Sequence, residues 1–520
     1  MRVAEQAAAG TDVHASVGAR GRQLYGLLRD PLMWFVAAGA IFLIANSLTL
    51  LTMPLSHDEG TFLIIAQGVL HGRLPYRDVV DQKAPAIYYL LAAFLAVTRP
   101  LALAPVTQAI LIRSGVVLVN LWTATGIVLL GRRWWRLEVG VLAAGLWLAA
   151  LPVIEGGYFV TEPFAVAATI GALVVAAYRP GVRAALAAGL LLALSTLFKQ
   201  TAILAVPGVA LMVLGPARKE WSWRMDHQLL RRGAAFLIGL VAPWLLVFAV
   251  WAVAGGLNAL WDDIVISNLL HYPPDPTRVV KLVIARDALP LLWITPIIVG
   301  LVGLARWSGI AERTRSAPSM ASVALWLIGG LGLIPLSTHA FQHYWVQVVP
   351  FAALLTALGV FGLLDAWRPP TRSSLASRLA APLLLALLVT WVGWHGTIPD
   401  RLQANGNLLH RQVVAAQWIA SHTTASESIL VAPSEPEYYF LAGRPPSISN
   451  LYLLPINVTP ALIAQLEGQL ATHAFGAVIW QEGGMALQPP IPAIYAVLTA
   501  HYRLVATESA QHLELWEPTT

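Results

Sequence analysis

Long apolar runs separated by short polar segments dominate the chain. Eleven of these runs approach the length of about 20 residues that a helix needs to cross a bilayer. The pattern therefore predicts an all-α polytopic membrane bundle of about 11 transmembrane helices. The predicted spans are 32–53, 103–130, 138–154, 160–178, 183–198, 201–215, 234–254, 289–305, 320–336, 346–364 and 380–397.

Two stretches interrupt this pattern. The apolar run at 84–97 is too short to span comfortably, so we expect it to lie in the interface or to pack against the bundle. The motif FKQT at 198–201 separates the runs at 183–198 and 201–215. Because a lysine at the membrane midplane is costly, we interpret these runs as two short helices that turn at the membrane surface.

Positive charge predicts the orientation of the spans. If 84–97 does not cross, five basic loops fall on one side, which the positive-inside rule assigns to the cytoplasm. These loops are 131–136, 178–183, 216–232, 305–315 and 365–378. The sequence therefore predicts a multi-pass protein of the cell (inner or plasma) membrane, with a cytoplasmic N-terminal tail at 1–31 that carries no removable signal peptide. The loop 54–100 and the chain after 398 are predicted to be extracytoplasmic.

The C-terminal part of the chain has a different pattern. Hydropathy falls from Asp400 onward, and four short β-like runs alternate with a helical stretch at 459–471. This predicts an extracytoplasmic soluble α/β domain at 398–520, large enough for its own core. The remaining boundaries are a transmembrane domain at 32–397 and, within it, an outer loop at 54–100.

Composition supports a membrane protein and narrows the chemistry. The chain is 57% hydrophobic and 12% charged, with a mean hydropathy of +0.67. Its net charge of +6 lies in short clusters between apolar runs, which indicates membrane topology and no nucleic-acid partner. Zero cysteines exclude disulfides, thiolate catalysis and cysteine zinc sites. No spaced histidine follows Asp262-Asp263, so the sequence favours a site without a dedicated divalent metal, and no cofactor is firmly predicted.

The outer loop contains the sharpest candidate for chemistry, His57-Asp58-Glu59. Ser56 and Glu59 have the spacing of a capping box for a short helix at 60–70, so Glu59 has a structural alternative to a catalytic role. Asp58 is not needed for the cap. A carboxylate beside a low-dielectric surface can act as a general base, which makes Asp58 the candidate base.

Three cations near the outer side are candidates for binding a phosphate: Lys83, Arg113 and Lys199. Lys83 adjoins the apolar run at 84–97, where an ammonium needs an anionic partner or a snorkelling route. Arg113 lies within a predicted span, and pairing with a buried acid or carbonyl is its structural alternative.

Further polar and aromatic residues of the outer segments are candidates for substrate binding. Glu162 precedes a proline and has a helix-opening role as its alternative, and an aromatic membrane anchor is the alternative for the turn at 341–345. The candidates are His57, Tyr76, Tyr88, Glu162, His271, Tyr272, His343 and Tyr344.

Several motifs together resemble the polyprenyl-phosphate-dependent GT-C glycosyltransferases, in particular the group of protein mannosyltransferases and lipid A aminoarabinose transferases. They are HDEG at 57–60, Lys83-Ala84-Pro85 with Tyr88-Tyr89-Leu90, Arg113, GYFVTEPF at 157–164, LFKQTA at 197–202 and HYWVQVVP at 343–350. The resemblance covers roughly residues 30–365.

The resemblance implies roles for three residues. Asp58 would deprotonate the acceptor, Glu59 would support it, and Lys83 would neutralise the phosphate leaving group of a lipid-linked sugar in an inverting transfer. Gly60-Thr61-Phe62 and Ala84-Pro85 depart from the aminoarabinose transferase pattern, which leaves the sugar and the acceptor open.

We therefore predict an integral membrane glycosyltransferase that moves a sugar from a polyisoprenyl-phosphate donor to an extracytoplasmic lipid, glycan or protein. Its partners would be that donor, the acceptor and the lipid bilayer. The alternative is a non-enzymatic transporter or flippase of lipid-linked sugars, which would show inverted repeats and broken helices in two matching halves. A membrane-anchored sensor is a weaker alternative, because it leaves the loop from Asp58 to Lys83 without a role.

Overall fold

The computed structural model is mostly helical, with a small sheet near the C-terminus, as the sequence predicts. It describes residues 51–152, 154–215, 227–271, 342–366, 407–451 and 458–519, together with positions 36, 39, 40, 42, 43, 50, 322, 323, 325 and 453. The predicted tail at 1–31 and the predicted spans at 289–305 and 380–397 lie outside the described residues, as do most of those at 32–53 and 320–336.

The helices follow the predicted apolar runs closely. They are His57–Leu70, Ala86–Thr98, Pro105–Trp134, Leu137–Ala150, Thr161–Tyr178, Val182–Phe198, Val206–Leu214, His227–Val253, Leu257–Trp261, Val349–Ala366, Leu408–His422, Glu437–Ala442, Pro460–Ala471 and Ile491–His501, numbered α1 to α14 in this order. Short 3₁₀ segments span Arg99–Leu101, Gln200–Ala205, Gln342–Gln347 and Gly484–Leu487, and a π-helical segment spans Asp262–His271.

Among the described residues, three helices are long and apolar enough to cross a membrane: Pro105–Trp134, Thr161–Tyr178 and His227–Val253. Helix α8, His227–Val253, exposes large apolar side chains such as Leu237, Leu245 and Val250, which suits contact with lipid. The predicted total of about 11 spans stays a prediction.

Two interruptions occur where the sequence indicates them. The run near 84–97 forms the 13-residue helix α2, which packs against α1 and has contacts with α3 and α6. Helix α6 ends at Phe198, Lys199 is extended, and a 3₁₀ turn leads into α7. The chain therefore breaks its helical path at Lys199, as predicted.

Small residues allow α6 and α8 to cross closely. A methyl group on Gly189 would collide with the backbone oxygen of Phe236, and one on Gly239 would collide with that of Leu186. Such small positions let membrane helices approach at the backbone, where van der Waals packing stabilises them. This crossing packs α8 against the helix that ends beside Lys199.

The four predicted strands are all present near the C-terminus. They are Ile429–Ala432, Ala477–Gln481, Tyr502–Glu508 and Leu513–Pro518, numbered β1 to β4. The sheet has the order β1-β2-β4-β3, with β1 and β2 parallel and the other pairs antiparallel. Val478 lies opposite Trp516, and Tyr502 lies opposite Pro518.

The two faces of this sheet bury different partners. Alternate residues of a strand point to opposite faces. Leu430 and Val478 belong to a core shared with the sheet's own helices α13 and α14. Val431 and Ile479 belong to a second core that includes α11 and α12 and continues to Phe62 of α1. The C-terminal sheet and helix α1 therefore share one apolar core.

Candidate active site

Helix α1 begins at His57 because the preceding residue caps it. Ser56 Oγ accepts a hydrogen bond from the Glu59 amide at 3.3 Å, and the Glu59 carboxylate accepts one from the Ser56 amide at 2.9 Å. This reciprocal pair satisfies two backbone donors that a helix N-terminus otherwise leaves without partners. The predicted capping box is confirmed, and it places Asp58 in the first turn of the helix.

Glu59 also forms a closed ion pair with Arg113. Arg113 Nε donates to Glu59 Oε1 at 2.8 Å, and Nη2 donates to Oε2 at 2.5 Å. Arg113 is 2% exposed and Glu59 is fully buried. The guanidinium also donates to the carbonyls of Met53 and Pro54 at 2.8 and 2.7 Å. This geometry favours a structural role for Arg113, and its binding of a donor phosphate stays a prediction.

Asp58 has a looser partner, Lys83. Lys83 Nζ lies 3.6 Å from Asp58 Oδ2, and the side chains are 10% and 25% exposed, respectively. Burial acts to lower the pKa of Lys83, but the attraction of Asp58 outweighs it and raises that pKa above its ordinary value. The lysine is therefore an ammonium at neutral pH, beside a carboxylate that solvent reaches.

The backbone of Lys83 is held by two tyrosines. Tyr76 donates its hydroxyl hydrogen bond to the Lys83 carbonyl at 2.8 Å, and the Tyr88 hydroxyl lies 3.4 Å from the same oxygen and 2.8 Å from Asp81 Oδ2. The two rings pack edge to face, with centroids 6.1 Å apart. This geometry indicates that Tyr76 and Tyr88 orient Lys83, while their binding of substrate stays a prediction.

Asp81, which accepts the hydrogen bond of Tyr88, also contacts Asp263. The Asp81 amide donates to Asp263 Oδ2 at 3.3 Å. Burial raises the pKa of Asp81 to about 6, against the opposing effect of Lys83. Burial and the nearby Asp81 raise the pKa of Asp263 to about 7. The segment after α9 therefore packs its acidic end against the loop that carries Lys83.

A second buried ion pair joins Lys199 and Glu162. Lys199 Nζ lies 2.6 Å from Glu162 Oε1, and the residues are 6% and 1% exposed, respectively. The extended backbone at the end of α6 and the first turn of α5 bring these two side chains together. The Tyr344 ring centroid is 4.7 Å from Lys199 Nζ, a cation–π contact.

His343 connects this pair to the turn before α5. Its Nδ1 lies 3.0 Å from Glu155 Oε2, and its Nε2 lies 4.0 Å from Glu162 Oε1. The 3₁₀ segment Gln342–Gln347 carries both His343 and Tyr344. The aromatic turn therefore contacts acidic and basic groups directly, and is more than an aromatic membrane anchor.

The two ion pairs belong to one site. Lys83 interacts electrostatically with Glu162 and with Tyr344, in addition to Asp58. Six of the predicted residues thus form a cluster of two ammonium groups, two carboxylates, an imidazole and a phenol: Asp58, Lys83, Glu162, Lys199, His343 and Tyr344. Such a cluster can accept a proton and neutralise a phosphate.

The remaining candidates are His57, His271 and Tyr272. His57 Nδ1 is 3.4 Å from Oε2 of Glu437, which belongs to the C-terminal helix α12. His271 ends the π-helical segment, and its side chain lies outside the described part of the chain, as does all of Tyr272.

Two buried polar residues that contact the outer loop were missed in the sequence, Gln412 and Glu437, each 3% exposed. Gln412 follows Leu409 and precedes Ala416 and Ile419 on the buried face of α11. A glutamine within an apolar stripe at helical spacing is the one available signal for such a residue. It marks burial of a polar group, but it does not identify the partner.

The residues that the structure describes contain no group of three or more histidine, aspartate or glutamate side chains arranged to hold a metal ion. The preference for a site without a dedicated divalent metal stays a prediction.

Comparisons with known proteins identify the fold. No protein-family model matches the chain, and no curated protein matches its sequence. Among solved structures, the chain is similar to ArnT from Cupriavidus metallidurans bound to undecaprenyl phosphate, with a TM-score of 0.57 and 15% identity over 93% of this chain and 97% of that one.

Two other solved structures are also similar to it. The archaeal oligosaccharyltransferase AglB from Archaeoglobus fulgidus, in complex with an inhibitory peptide and a dolichol-phosphate, has a TM-score of 0.53 and 14% identity over 94% of this chain and 74% of that one. The arabinofuranosyltransferase AftD from Mycobacteria has a TM-score of 0.52 and 14% identity over 93% of this chain and 41% of that one. The chain has the fold of these glycosyltransferases, and the predicted GT-C fold is confirmed.

Proposed function

We propose that this protein is an integral membrane glycosyltransferase. It transfers a sugar from a polyisoprenyl-phosphate carrier to an acceptor on the outer side of the membrane. The observation that carries this proposal is the pair Asp58 and Lys83, with 3.6 Å between carboxylate and ammonium and 25% of the Asp58 side chain exposed. A carboxylate that both a cation and solvent reach can meet an acceptor hydroxyl.

In the proposed reaction the acceptor hydroxyl oxygen attacks the anomeric carbon of the sugar. Its proton passes to Asp58, which acts as general base. The bond between the anomeric carbon and the phosphate oxygen breaks, and the electron pair leaves with the phosphate of the carrier lipid. Attack from the face opposite the phosphate inverts the anomeric centre.

Lys83 and Lys199 are the proposed cations for the departing phosphate. Negative charge grows on that group as the bond breaks, so fixed ammonium groups stabilise the transition state more than the ground state. Lys199 is already paired with Glu162 at 2.6 Å. We infer that a bound phosphate competes with Glu162 for this lysine, and that His343, close to the same carboxylate, supports Glu162 when it does.

A lipid-linked donor is supported by two observations. The solved structures that share this fold hold undecaprenyl phosphate in ArnT and dolichol-phosphate in AglB. Apolar helices with exposed side chains, such as α8, also give a carrier chain a lipid phase to occupy while its phosphate reaches the polar loop.

The proposal includes an orientation and a domain organisation. The basic loops between the apolar runs favour a cytoplasmic side opposite to the site, with the tail at 1–31 on that side. The loop at 54–100 and the domain at 398–520 would then face outward, and 32–397 would be the transmembrane domain. Tyr76, Tyr88, His271 and Tyr272 remain proposed contributors to substrate binding, together with His343 and Tyr344.

The test is transfer of labelled sugar in membranes from a panel of polyisoprenyl-phosphate donors. Asp58→Asn keeps the shape of the side chain and removes its charge, so we expect transfer to fall by about 10²–10⁴-fold, the range of general base catalysis. Asp262→Asn makes the same change at an exposed site and serves as the matched control. If Asp58→Asn transfers sugar as fast as the wild type at equal abundance, Asp58 is not the base. Donor that crosses the bilayer without any sugar transfer would instead establish a flippase.

A further inference from the structure

The C-terminal domain is bound directly to the backbone that precedes helix α1. The Leu55 amide donates to Gln412 Oε1 at 2.8 Å, and Gln412 Nε2 donates to the Leu55 carbonyl at 3.2 Å. One side-chain amide thus satisfies both backbone groups of a single residue. Leu55 and Gln412 are each 3% exposed, so these bonds lie away from water, where an unmade bond is costly.

Glu437 extends the same contact toward His57. Its Oε1 accepts a hydrogen bond from Gln412 Nε2 at 3.1 Å, and its Oε2 lies 3.4 Å from His57 Nδ1. The backbone of Glu437 also lies against α1 at Gly60, where an added methyl group would collide with it. Two residues of the C-terminal domain therefore contact three positions around Asp58.

The membrane domain anchors the other side of the same turn. Glu59 is held by Arg113 and by the Phe159 amide at 3.2 Å, and Ser56 is held by the capping box. Asp58 thus sits in a turn whose backbone is fixed from both sides, while its own carboxylate faces Lys83. A base placed in this way depends on the geometry of its neighbours.

We propose that Gln412 and Glu437 are positioning residues for Asp58, so that the C-terminal domain completes the active site. Their role rests on the proposed function, in which Asp58 is the general base. Neither residue touches the reacting atoms. They hold residues 55–60 in the conformation that aims Asp58 at the acceptor. A displacement of about 1 Å at a catalytic group can lower a rate by about 10²-fold, so loss of these contacts has a measurable effect on turnover.

The first test is Gln412→Leu in the full-length protein, which removes both hydrogen bonds to Leu55 and keeps a buried side chain of similar size. We expect kcat for sugar transfer to fall by about 10–100-fold, with the donor KM changed less than about threefold, because the change leaves both lysines in place. Hydrogen exchange should accelerate at residues 55–59 and stay unchanged in β2. Gln417→Leu makes the same change at an exposed position of the same helix and should affect neither readout.

The second test uses the close contact at Gly60. Gly60→Ala forces α1 and the Glu437 backbone apart, so we expect the same loss of kcat and the same faster exchange at 55–59. Gly68→Ala is the matched control on the same helix, because a methyl group there meets only the Arg73 side chain at 3.5 Å. Gly60→Ala keeps the Gln412 side chain. If Gly60→Ala and Gln412→Leu have the same effects, those effects come from the contact between the C-terminal domain and residues 55–60, and not from one side chain.

Three results would overturn the inference. Unchanged kcat despite faster exchange at 55–59 would mean that Asp58 needs no such support. Unchanged exchange would mean that the C-terminal domain does not order this turn. A fall in kcat with faster exchange throughout the C-terminal domain would reduce the role of Gln412 to general stability. Absence of transfer by the wild type with every donor, in contrast, overturns the proposed function, and the catalytic part of the inference with it.

Discussion

Asp58 and Glu59 are adjacent in the chain, yet their carboxylates have opposite surroundings. Glu59 is fully buried and forms two hydrogen bonds with Arg113, at 2.8 and 2.5 Å. The side chain of Asp58 is 25% exposed, and its Oδ2 lies 3.6 Å from Lys83. Successive residues of a helix point about 100° apart, so one turn can direct one acid into the bundle and the next toward the site.

The two environments suit different roles for Glu59 and Asp58. A closed, buried pair uses its hydrogen-bonding capacity within the protein, and breaking it leaves an unpaired buried charge. A looser pair near solvent can exchange its partner for a substrate. The resemblance assigns Glu59 a supporting role and Asp58 the role of base, and this contrast in geometry favours the same assignment.

The largest expected effect on stability comes from breaking the closed pair. Glu59→Gln leaves the Arg113 guanidinium buried without its counter-charge, so we expect a loss of about 3–5 kcal/mol. Asp58→Asn should lower stability by less than Glu59→Gln does, because 25% of the Asp58 side chain is exposed to solvent whereas Glu59 is fully buried. Thermal unfolding in detergent measures both. Recovery of part of the loss in the double variant Glu59→Gln/Arg113→Met would confirm the cause, whereas a Glu59→Gln variant as stable as the wild type would contradict the contrast.

The next largest effect is expected on the rate of transfer when the pair of Asp58 and Lys83 is broken. Lys83→Met removes the ammonium beside Asp58, and we expect kcat/KM for the lipid-linked donor to fall by about 10²-fold, the lower end for loss of one charge-stabilising donor. Lys83→Arg should recover part of this loss because it restores the positive charge. Arg73→Met removes an exposed cation from the same loop and should leave the rate unchanged. Equal rates for Lys83→Met and the wild type would exclude Lys83 from the reaction.

The smallest effect is a pH dependence of the contact between His57 and Glu437. Burial acts to lower the pKa of His57, but Glu437, with smaller contributions from Glu435 and Asp58, raises it to about 9. The folded pKa is above the unfolded value, so this stabilisation is complete below about pH 6.5 and is lost as the pH rises through 9.

The His57 side chain is 46% exposed, so solvent screening limits the contribution to about 0.2–1 kcal/mol. The difference in stability between wild type and His57→Asn, measured from pH 6 to pH 10, should therefore shrink as the pH rises. A difference that stays constant across this range would show that the charge of His57 does not contribute to this contact.

Local features of the site were predictable from neighbouring residues. The capping box depends on Ser56 and Glu59, three positions apart, and the break at Lys199 depends on a charge between two apolar runs. The four strands could be located for the same reason. Periodicity and caps are properties of a short stretch of chain, so a short stretch is enough to predict them.

The pairing of Arg113 with Glu59 was only one of the alternatives that the sequence left open. The two residues are 54 positions apart, and a buried arginine shows in a sequence without showing its partner. The contact between Gln412 and Leu55 joins residues 357 positions apart, and nothing near either of them indicates it. Such pairs form only when helices pack, and the local sequence around each residue does not distinguish its actual partner from many other possible partners.

The sequence by itself determined the apolar runs, the caps, the strands and the residue types that can move a proton or hold a phosphate. Each of these depends on side-chain chemistry and on spacing within a few turns of chain. Only the tertiary structure decided that Glu59 would be buried with Arg113 while Asp58 stays partly exposed beside Lys83, and that Gln412 and Glu437 would contact the residues around Asp58. Those outcomes depend on burial, because the same carboxylate is structural when buried with a guanidinium and available for chemistry when solvent and a lysine share it.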